Sequence, residues 1–198
     1  MTTKANITAL TDEELMTRYQ KGDTSAFEAL LDRYHRPIYN LILRMIGQRE
    51  LAEDLLQDTF IRVINGAASF TQQARFKTWL YTIARNISID AMRKRKYRRA
   101  RSLDEPMNGE EGRTMVETIG SDEPTSDRRV DDQRFKGRLE EALAALSDEQ
   151  REVFVMRQFD GLAFKEIAEV VGTSENTIKS RMRYALENLR AALKDFYP

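Results

Sequence analysis

One stretch of the chain, residues 102–133, differs in composition from everything around it. It reads SLDEPMNGEEGRTMVETIGSDEPTSDRRVDDQ and contains two prolines, three glycines, ten acidic residues and three basic ones. A segment with so much charge and so few apolar residues buries too little surface to offset the entropy lost on ordering. The composition therefore predicts a flexible acidic linker that joins two separately folded domains, residues 1–101 and 134–198.

Apolar residues recur at helical spacing on both sides of this linker. The 198 residues include only 9 glycines and 4 prolines, which favours helices over a turn-rich β fold. Helical patterning resumes near Phe135, and no segment shows strand alternation, so the predicted fold class is all-α. Four helices are predicted before the linker: from a cap at Thr11 or Asp12 to Gln20, from a cap at Asp23 to Gly47 with a kink or break at Pro37, over about 50–65 and over about 74–99.

Two short helices joined by a glycine are predicted near the C-terminus. The first has an apolar face at i, i+3, i+4 and i+7, formed by Phe164, Ile167, Ala168 and Val171. Gly172 then allows a left-handed turn, and Ser174 is positioned to cap the second helix. The second helix has an inward stripe of Ile178, Met182, Ala185 and Leu189. This pattern is typical of a helix-turn-helix, and an ordinary helical hairpin with a solvated face is the alternative.

The second helix of this pair also carries candidate DNA-contacting side chains. Lysine and arginine donate to guanine edges and asparagine pairs with adenine in the major groove, while hydroxyls and the helix N-terminus meet phosphates. The candidates for this surface are Asn176, Thr177, Lys179, Ser180, Arg181, Arg183 and Tyr184.

The third predicted helix crowds acidic and polar residues onto one side. Glu53, Asp54, Gln57 and Asp58 lie at helical i, i+3 and i+4 spacing, while Leu51, Leu55, Phe60, Val63 and Ile64 form the predicted apolar side. Neighbouring acids repel one another, so the cluster is mildly unfavourable unless it meets a basic surface. It is therefore either a solvated face or a docking face for a basic protein.

The fourth predicted helix begins with aromatic residues and ends with a basic run. Seven of the nine residues 93–101 are basic, and residues 61–101 hold 11 basic residues and one acidic. Aromatic rings stack on unpaired bases and a basic track follows phosphates, so the combination suits single-stranded or melting DNA. A core role for the aromatic residues and a solubilising role for the basic ones is the alternative. The candidates are Phe76, Trp79, Arg93, Lys94, Arg95 and Lys96.

Composition excludes several other classes of function. The chain has no cysteine and a single histidine, His35, so it has no disulfide framework or thiolate metal site. No nucleophile set or glycine-rich phosphate loop is visible. No apolar stretch suggests a signal peptide or a membrane span. We therefore expect a cytoplasmic protein with no cofactor, no metal, no small-molecule substrate and no membrane insertion.

Three segments together resemble those of bacterial sigma factors of the sigma-70 family, specifically the compact extracytoplasmic-function (ECF) group. AEDLLQDTFIRV, at 52–63, resembles the region that binds core RNA polymerase. FKTWLYTIARNISIDAMRKRK, at 76–96, resembles the region that recognises and melts the −10 element. Residues 146–190, from LSDEQREVF to LENLR, resemble the −35-binding domain. The resemblance covers nearly the whole chain and implies a sigma region 2 helical bundle followed by a sigma region 4 helix-turn-helix.

This resemblance implies a non-catalytic transcription initiation factor that directs core RNA polymerase to promoters and assists strand opening. Its implied partners are the clamp helices of the polymerase's largest subunit, the polymerase flap, promoter DNA and an anti-sigma factor. Asp54, Gln57 and Asp58 would contact the clamp helices. Asn86, with the loop at about 65–72, would capture a flipped base of the −10 element. Lys179, Ser180, Arg183 and Tyr184 match the −35-reading face.

Two other functions are alternatives. A conventional helix-turn-helix regulator would bind duplex DNA alone, which explains residues 148–190 and leaves the acidic and the aromatic–basic helices without a role. An enzyme acting on nucleic acid would need a catalytic constellation, and none is visible in the sequence.

Overall fold

The computed structural model describes residues 7, 9–71, 75–102 and 126–196, and the side chains of all of these except 99–102 and 126–132. The described residues form eight α-helices and no strand, which confirms the all-α fold class. They form two compact units, one built on the first four helices and the other containing the fifth, sixth, eighth and most of the seventh. In chain order the helices are α1 (Asp12–Gln20), α2 (Thr24–Ile46), α3 (Arg49–Gly66), α4 (Phe76–Ser102), α5 (Ser126–Ala145), α6 (Asp148–Gln158), α7 (Phe164–Val171) and α8 (Glu175–Ala192), with 3₁₀ turns at Ala67–Ser69 and Lys194–Phe196.

Local capping signals set the ends of the first two helices, as predicted. Thr11 caps α1: its Oγ1 accepts from the backbone N–H of Glu14 at 3.2 Å, and Glu14 Oε2 accepts from the N–H of Thr11 at 2.8 Å. Asp23 caps α2 by accepting from the N–H of Ser25 at 3.2 Å. Gly47 ends α2 at a φ of 77°, in the left-handed region that glycine adopts without steric cost.

Pro37 does not break α2, which is one continuous helix from Thr24 to Ile46. A proline removes one helical hydrogen bond and crowds the preceding turn. Here Leu30 before it, and Ile38 and Leu41 after it, are fully buried. Packing on both sides of Pro37 therefore keeps the two halves of the helix continuous.

Aromatic packing fixes the start of α4 within the N-terminal unit. The Phe76 ring lies 5.6 Å from that of Tyr34 and 5.9 Å from that of Phe70, and the Trp79 ring lies 5.1 Å from that of Phe70. Glu13 Oε1, on α1, accepts a hydrogen bond from the backbone N–H of Phe76 at 2.9 Å. An N–H that has no partner within its own helix is thereby satisfied by a neighbouring element. These contacts therefore fix the position of the first turn of α4 within the N-terminal unit.

The fifth helix begins earlier than the sequence predicted. Helical patterning was expected near Phe135, whereas α5 begins at Ser126. The intervening segment, SDRRVDDQ, has one apolar residue, so hydrophobic periodicity carried no signal there. The last eight residues of the predicted linker 102–133 are thus helical, and residues 103–125 lie outside the described residues.

The C-terminal unit holds its helices together through backbone carbonyls and an apolar stripe. On α6, Arg151 donates to the carbonyl oxygens of Leu143 and Ala144, each at 2.8 Å, and of Leu146 at 3.0 Å. These carbonyls lie at the end of α5, where a helix leaves its last acceptors unsatisfied. Helix α8 packs against α5 and α6, and its predicted inward stripe is confirmed, because Ile178, Met182, Ala185 and Leu189 are all buried.

The predicted turn between α7 and α8 is also confirmed. Gly172 has a φ of 74° and ends α7, and Ser174 Oγ accepts from the backbone N–H of Thr177 at 3.1 Å to begin α8. Ile167 and Ala168 are buried, while Phe164 and Val171 are half-buried. None of the helices in the described part of the chain combines the length and apolarity that crossing a membrane requires.

Candidate functional site

The acidic side of α3 is exposed. Asp54, Gln57 and Asp58 all have exposed side chains, and they share one face because they lie one helical turn apart. The opposite face is held in the core by Ala52 and Val63, which are fully buried. The structure therefore brings the three predicted polymerase-contacting residues together on one accessible surface.

Two isoleucines extend this acidic face with apolar surface. Ile61 is 52% exposed and Ile64 is 44% exposed. Ile61 follows Gln57 and Asp58 by one helical turn, so it shares their face. The prediction that Ile64 belongs to the core side was wrong, because the neighbouring elements cover the face that contains Phe60 and Val63. Ile61 was missed, although its helical position beside Asp54 and Asp58 was readable from the sequence. We call Asp54, Gln57, Asp58, Ile61 and Ile64 the α3 face.

The aromatic start of α4 belongs largely to the core. Phe76 is fully buried, so the expectation that it stacks on a base is corrected: its ring packs between Tyr34 and Phe70. Trp79 is half-buried beside it. A Cβ placed on Gly66 would lie 3.0 Å from Cζ2 of Trp79, so the indole packs closely onto the end of α3 at a residue without a side chain.

Asn86 lies on the accessible side of α4. Its side chain is exposed. The neighbouring loop is anchored from α1, since Gln20 Nε2 donates to the carbonyl oxygens of Ala67 and Phe70 at 2.8 Å each. Thr71 is exposed, and Gln72, the end of the predicted base-capturing loop, lies outside the described residues.

The basic run at the end of α4 contains residues of two kinds. Arg93, Lys94 and Lys96 are exposed, as is Arg98. Arg95 is half-buried and its Nη1 donates to the carbonyl oxygen of Ile46 at 3.4 Å. Arg95 therefore links α4 to the end of α2, where a cation is favourable beside the last carbonyls, and its predicted DNA contact stays a prediction.

An exposed tyrosine interrupts this run and was not among the predicted site residues. Tyr97 is 66% exposed. Asn86, Arg93 and Tyr97 fall on one side of α4, since seven residues are close to two helical turns and four residues are close to one. The rise from Asn86 to Tyr97 is about 16 Å at 1.5 Å per residue. We call Asn86, Arg93 and Tyr97 the α4 face.

The recognition helix α8 exposes most of its predicted contact residues. Asn176, Lys179, Ser180, Arg183 and Tyr184 are exposed. Lys179 Nζ lies 2.7 Å from Glu175 Oε1, and the Arg183 guanidinium lies 4.9 Å from the centroid of the Tyr184 ring. Exposed ion pairs of this kind contribute little to stability, so both cations are free to exchange their partners for DNA at small cost. Asn176, Lys179, Ser180, Arg183 and Tyr184 form the α8 face.

Two of the predicted DNA-contacting residues of α8, Thr177 and Arg181, are half-buried and lie outside the exposed α8 face. Thr177 is half-buried, and its hydroxyl lies 2.8 Å from that of Ser174 at the helix cap. Arg181 is half-buried, with Nη1 3.5 Å from Oε1 of the fully buried Glu152 on α6. The Arg181 guanidinium is therefore directed toward α6, and its contact with DNA stays a prediction. Within the described ranges, no group of three His, Cys, Asp or Glu residues could hold a metal ion.

Comparison with known proteins matches two parts of the chain to family models. Residues 30–98 match the family described as Sigma-70 region 2, and residues 136–189 match Sigma-70, region 4. The ECF RNA polymerase sigma factor SigW of Bacillus subtilis is 36% identical over 179 residues, which are 89% of this chain and 93% of SigW. RNA polymerase sigma factor CarQ of Myxococcus xanthus is 32% identical over 90% of this chain and 95% of CarQ.

Two solved structures are similar in fold. The sigma factor RpoE of Bartonella quintana, crystallised with the anti-sigma factor NepR, has a TM-score of 0.65 and 28% identity over 85% of this chain and 96% of that one. CnrH, solved in complex with the cytosolic domain of CnrY, has a TM-score of 0.68 and 23% identity over 93% of this chain and 97% of that one. The second similarity supports the fold alone.

The chain thus belongs to the sigma-70 family of RNA polymerase sigma factors, within its ECF group. It is a transcription initiation factor that gives RNA polymerase its promoter specificity.

Proposed function

We propose that three separate surfaces of the chain divide the work of initiation. The α3 face binds core polymerase, the α4 face receives the −10 element as it opens, and the α8 face reads the −35 element. The domain limits proposed for this division are 1–101 and 134–198, joined by 102–133. The observation that carries the proposal is the α3 face, which combines exposed carboxylates with two exposed isoleucines on a helix whose other side is core.

The α3 face has the composition of a protein-binding surface. Large apolar side chains at the centre of a patch, surrounded by polar groups, are typical of protein–protein contacts. Its carboxylates repel one another in the free protein and are neutralised by a basic partner. The clamp helices of the polymerase's largest subunit are the proposed partner, with the flap as a further contact.

The α4 face has the composition of a surface for opening DNA. Removing a base from the stack costs a few kcal/mol, and contacts to the unstacked base offset that cost. In this proposal the exposed Asn86 and the half-buried Trp79 hold such a base, while the exposed Arg93, Lys94 and Lys96 contact the phosphates. Tyr97 lies about 16 Å further along the same side, close to five base steps at 3.4 Å.

The α8 face has the composition of a major-groove reader. Lys179 and Arg183 are donors for guanine edges, and Asn176 is matched to adenine. Thr177 lies in the first turn of α8, where phosphate is favoured, and the exposed Ser180 hydroxyl is a further candidate phosphate contact. In this proposal the C-terminal unit docks α8 in the −35 major groove, and the N-terminal unit engages the opening strand.

An anti-sigma factor is the proposed regulator. The similar Bartonella sigma factor was solved in complex with one. A partner that covers the α3 face would exclude polymerase, and the exposed isoleucines would give it apolar anchors. Because the proposed partners are polymerase and DNA, we place the action of the protein in the cytoplasm.

The direct test is capture of core RNA polymerase by the purified full-length chain, followed by run-off transcription on pooled genomic fragments. We expect stable binding and new, discrete transcripts, whose start sites define the promoter elements. Tight binding to duplex DNA with no binding to polymerase would instead support a free-standing helix-turn-helix regulator. Metal-dependent cleavage of a labelled strand would support the enzyme alternative.

A matched pair of variants tests the α3 face itself. Asp54→Ala with Asp58→Ala removes two acids of this face and should weaken polymerase binding about tenfold or more. Glu28→Ala with Asp32→Ala removes two exposed acids at the same spacing from α2 and should leave binding unchanged. Equal loss in both double variants would show that net charge, not the α3 face, governs the association.

A further inference from the structure

A fully buried carboxylate lies behind the recognition helix. Glu152, on α6, has no exposed surface, and its Oε1 lies 3.5 Å from Nη1 of Arg181 on α8. Burying a carboxylate is costly unless it is paired and hydrogen-bonded. Stability alone is a poor explanation for such a pair, because well-packed apolar residues of similar volume are often as stabilising.

A second polar contact joins the same two helices on the same side of α8. Asn188 Nδ2 donates to Gln150 Oε1 at 3.0 Å. Arg181 and Asn188 are seven residues apart, which is two helical turns, and Gln150 and Glu152 lie two residues apart on α6. Helix α8 is therefore held to α6 at two points along its length, in addition to the apolar stripe beneath it.

Directional contacts of this kind control the rotation of a helix. Apolar packing is non-directional and tolerates small rotations about the helix axis, whereas a charge-assisted hydrogen bond requires a defined geometry. Arg181 directly follows Ser180 and precedes Arg183 by two residues, so any rotation that stretches its contact with Glu152 also turns the α8 face. Base contacts depend on placement within a fraction of an ångström.

We propose that Glu152, acting through Arg181, is a positioning residue that sets the rotation of α8 for reading the −35 element. This inference rests on the proposed role of the α8 face. Glu152 itself is buried and touches no DNA, so substitution of Glu152 separates positioning from direct contact. Arg181 would remain able to meet DNA when its partner is replaced.

The test compares transcription by holoenzyme from one promoter with an intact −35 element and with a scrambled one. The promoter is one identified in the run-off experiment. Discrimination is the ratio of transcription with the intact −35 element to transcription with the scrambled one. Glu152→Met keeps a similar side-chain length without the carboxylate and should lower this ratio about tenfold. Glu152→Gln keeps an acceptor oxygen and should retain most of the wild-type discrimination ratio. Arg190→Met, an exposed change on the same helix, is the matched control and should leave the ratio unchanged.

Thermal unfolding and polymerase capture are measured on each variant to separate positioning from loss of fold. The double variant Glu152→Met with Arg181→Met removes both charges of the pair, so it should unfold near the wild-type temperature and should still discriminate poorly. Wild-type discrimination by folded Glu152→Met or by this double variant would overturn the proposal. If Arg181→Met alone lost discrimination while Glu152→Met kept it, the proposal would also be overturned. That result would assign Arg181 a direct DNA contact. A wild-type protein that ignores the −35 element would instead contradict the proposed function.

Discussion

Helices α4 and α8 both carry candidate DNA surfaces, but they are built differently. In α8 the inward stripe and the exposed face are cleanly separated along the whole helix, and only Arg181 among its long cations turns inward. In α4 the first turn is buried or half-buried, whereas most side chains from Arg93 to Arg98 are exposed. Residues of α4 therefore change from a core position to a surface position along the length of the helix. Residue type therefore indicates an exposed side chain more reliably in α8 than in α4.

The largest expected effect tests the core assignment in α4. Phe76→Ala removes a fully buried ring from the cluster with Tyr34 and Phe70 and should lower the free energy of unfolding by about 3–5 kcal/mol. Urea unfolding followed by circular dichroism measures this change. A stable Phe76→Ala protein that fails only in promoter opening would show that the ring works on DNA, and the contrast with α8 would fail.

The next effect tests the exposed face of α8. Lys179→Ala and Arg183→Ala should each weaken use of the −35 element by about 1–3 kcal/mol if they contact bases, with little change in stability. Their ion pairs with Glu175 and Glu187 are exposed, so removing them costs little in the free protein. Binding to −35 duplexes changed at single positions provides the measurement. A uniform loss across all sequences would reassign the two residues to phosphate contacts.

A smaller effect tests the far end of α4. Tyr97→Ala should weaken binding to a partly opened promoter fragment by about 1–3 kcal/mol, the range of one base–aromatic stack. Tyr97→Phe keeps the ring and should bind as the wild type does. Loss in both variants would point to the hydroxyl group rather than to stacking.

The smallest effect separates two neighbouring arginines. Arg93 is exposed, whereas Arg95 is tied to the carbonyl of Ile46. Arg93→Ala should weaken DNA binding evenly across sequences and lower the salt dependence by about one unit of slope, as loss of a phosphate contact does. Arg95→Ala should leave the slope unchanged. If the two variants showed the same salt dependence of DNA binding, Arg93 could not be distinguished from Arg95 as a residue that contacts phosphate.

Local signals made the helix ends predictable from the sequence. Thr11, Asp23 and Ser174 cap helices through their own neighbours, and Gly47 and Gly172 end helices through their backbone freedom. None of these features depends on distant parts of the chain.

The predictions about side-chain surfaces depended on which neighbour covers which face. Helical spacing placed Ile64 on the apolar side, yet 44% of its surface is exposed. Residue type made Phe76, Arg95 and Arg181 plausible DNA contacts, yet long-range partners Tyr34, Ile46 and Glu152 engage them. Tertiary packing therefore decides between a core and a contact role where residue type allows both. The DNA and polymerase roles of the remaining site residues stay predictions.

The division of labour among the three faces can be tested by measuring core polymerase binding for three proteins side by side. They are the wild type, Asp54→Ala with Asp58→Ala, and Lys179→Ala with Arg183→Ala. We predict that only the first double variant loses affinity for polymerase, while only the second loses dependence on the −35 element. Normal polymerase binding by Asp54→Ala with Asp58→Ala, together with impaired DNA binding in both double variants, would contradict the account.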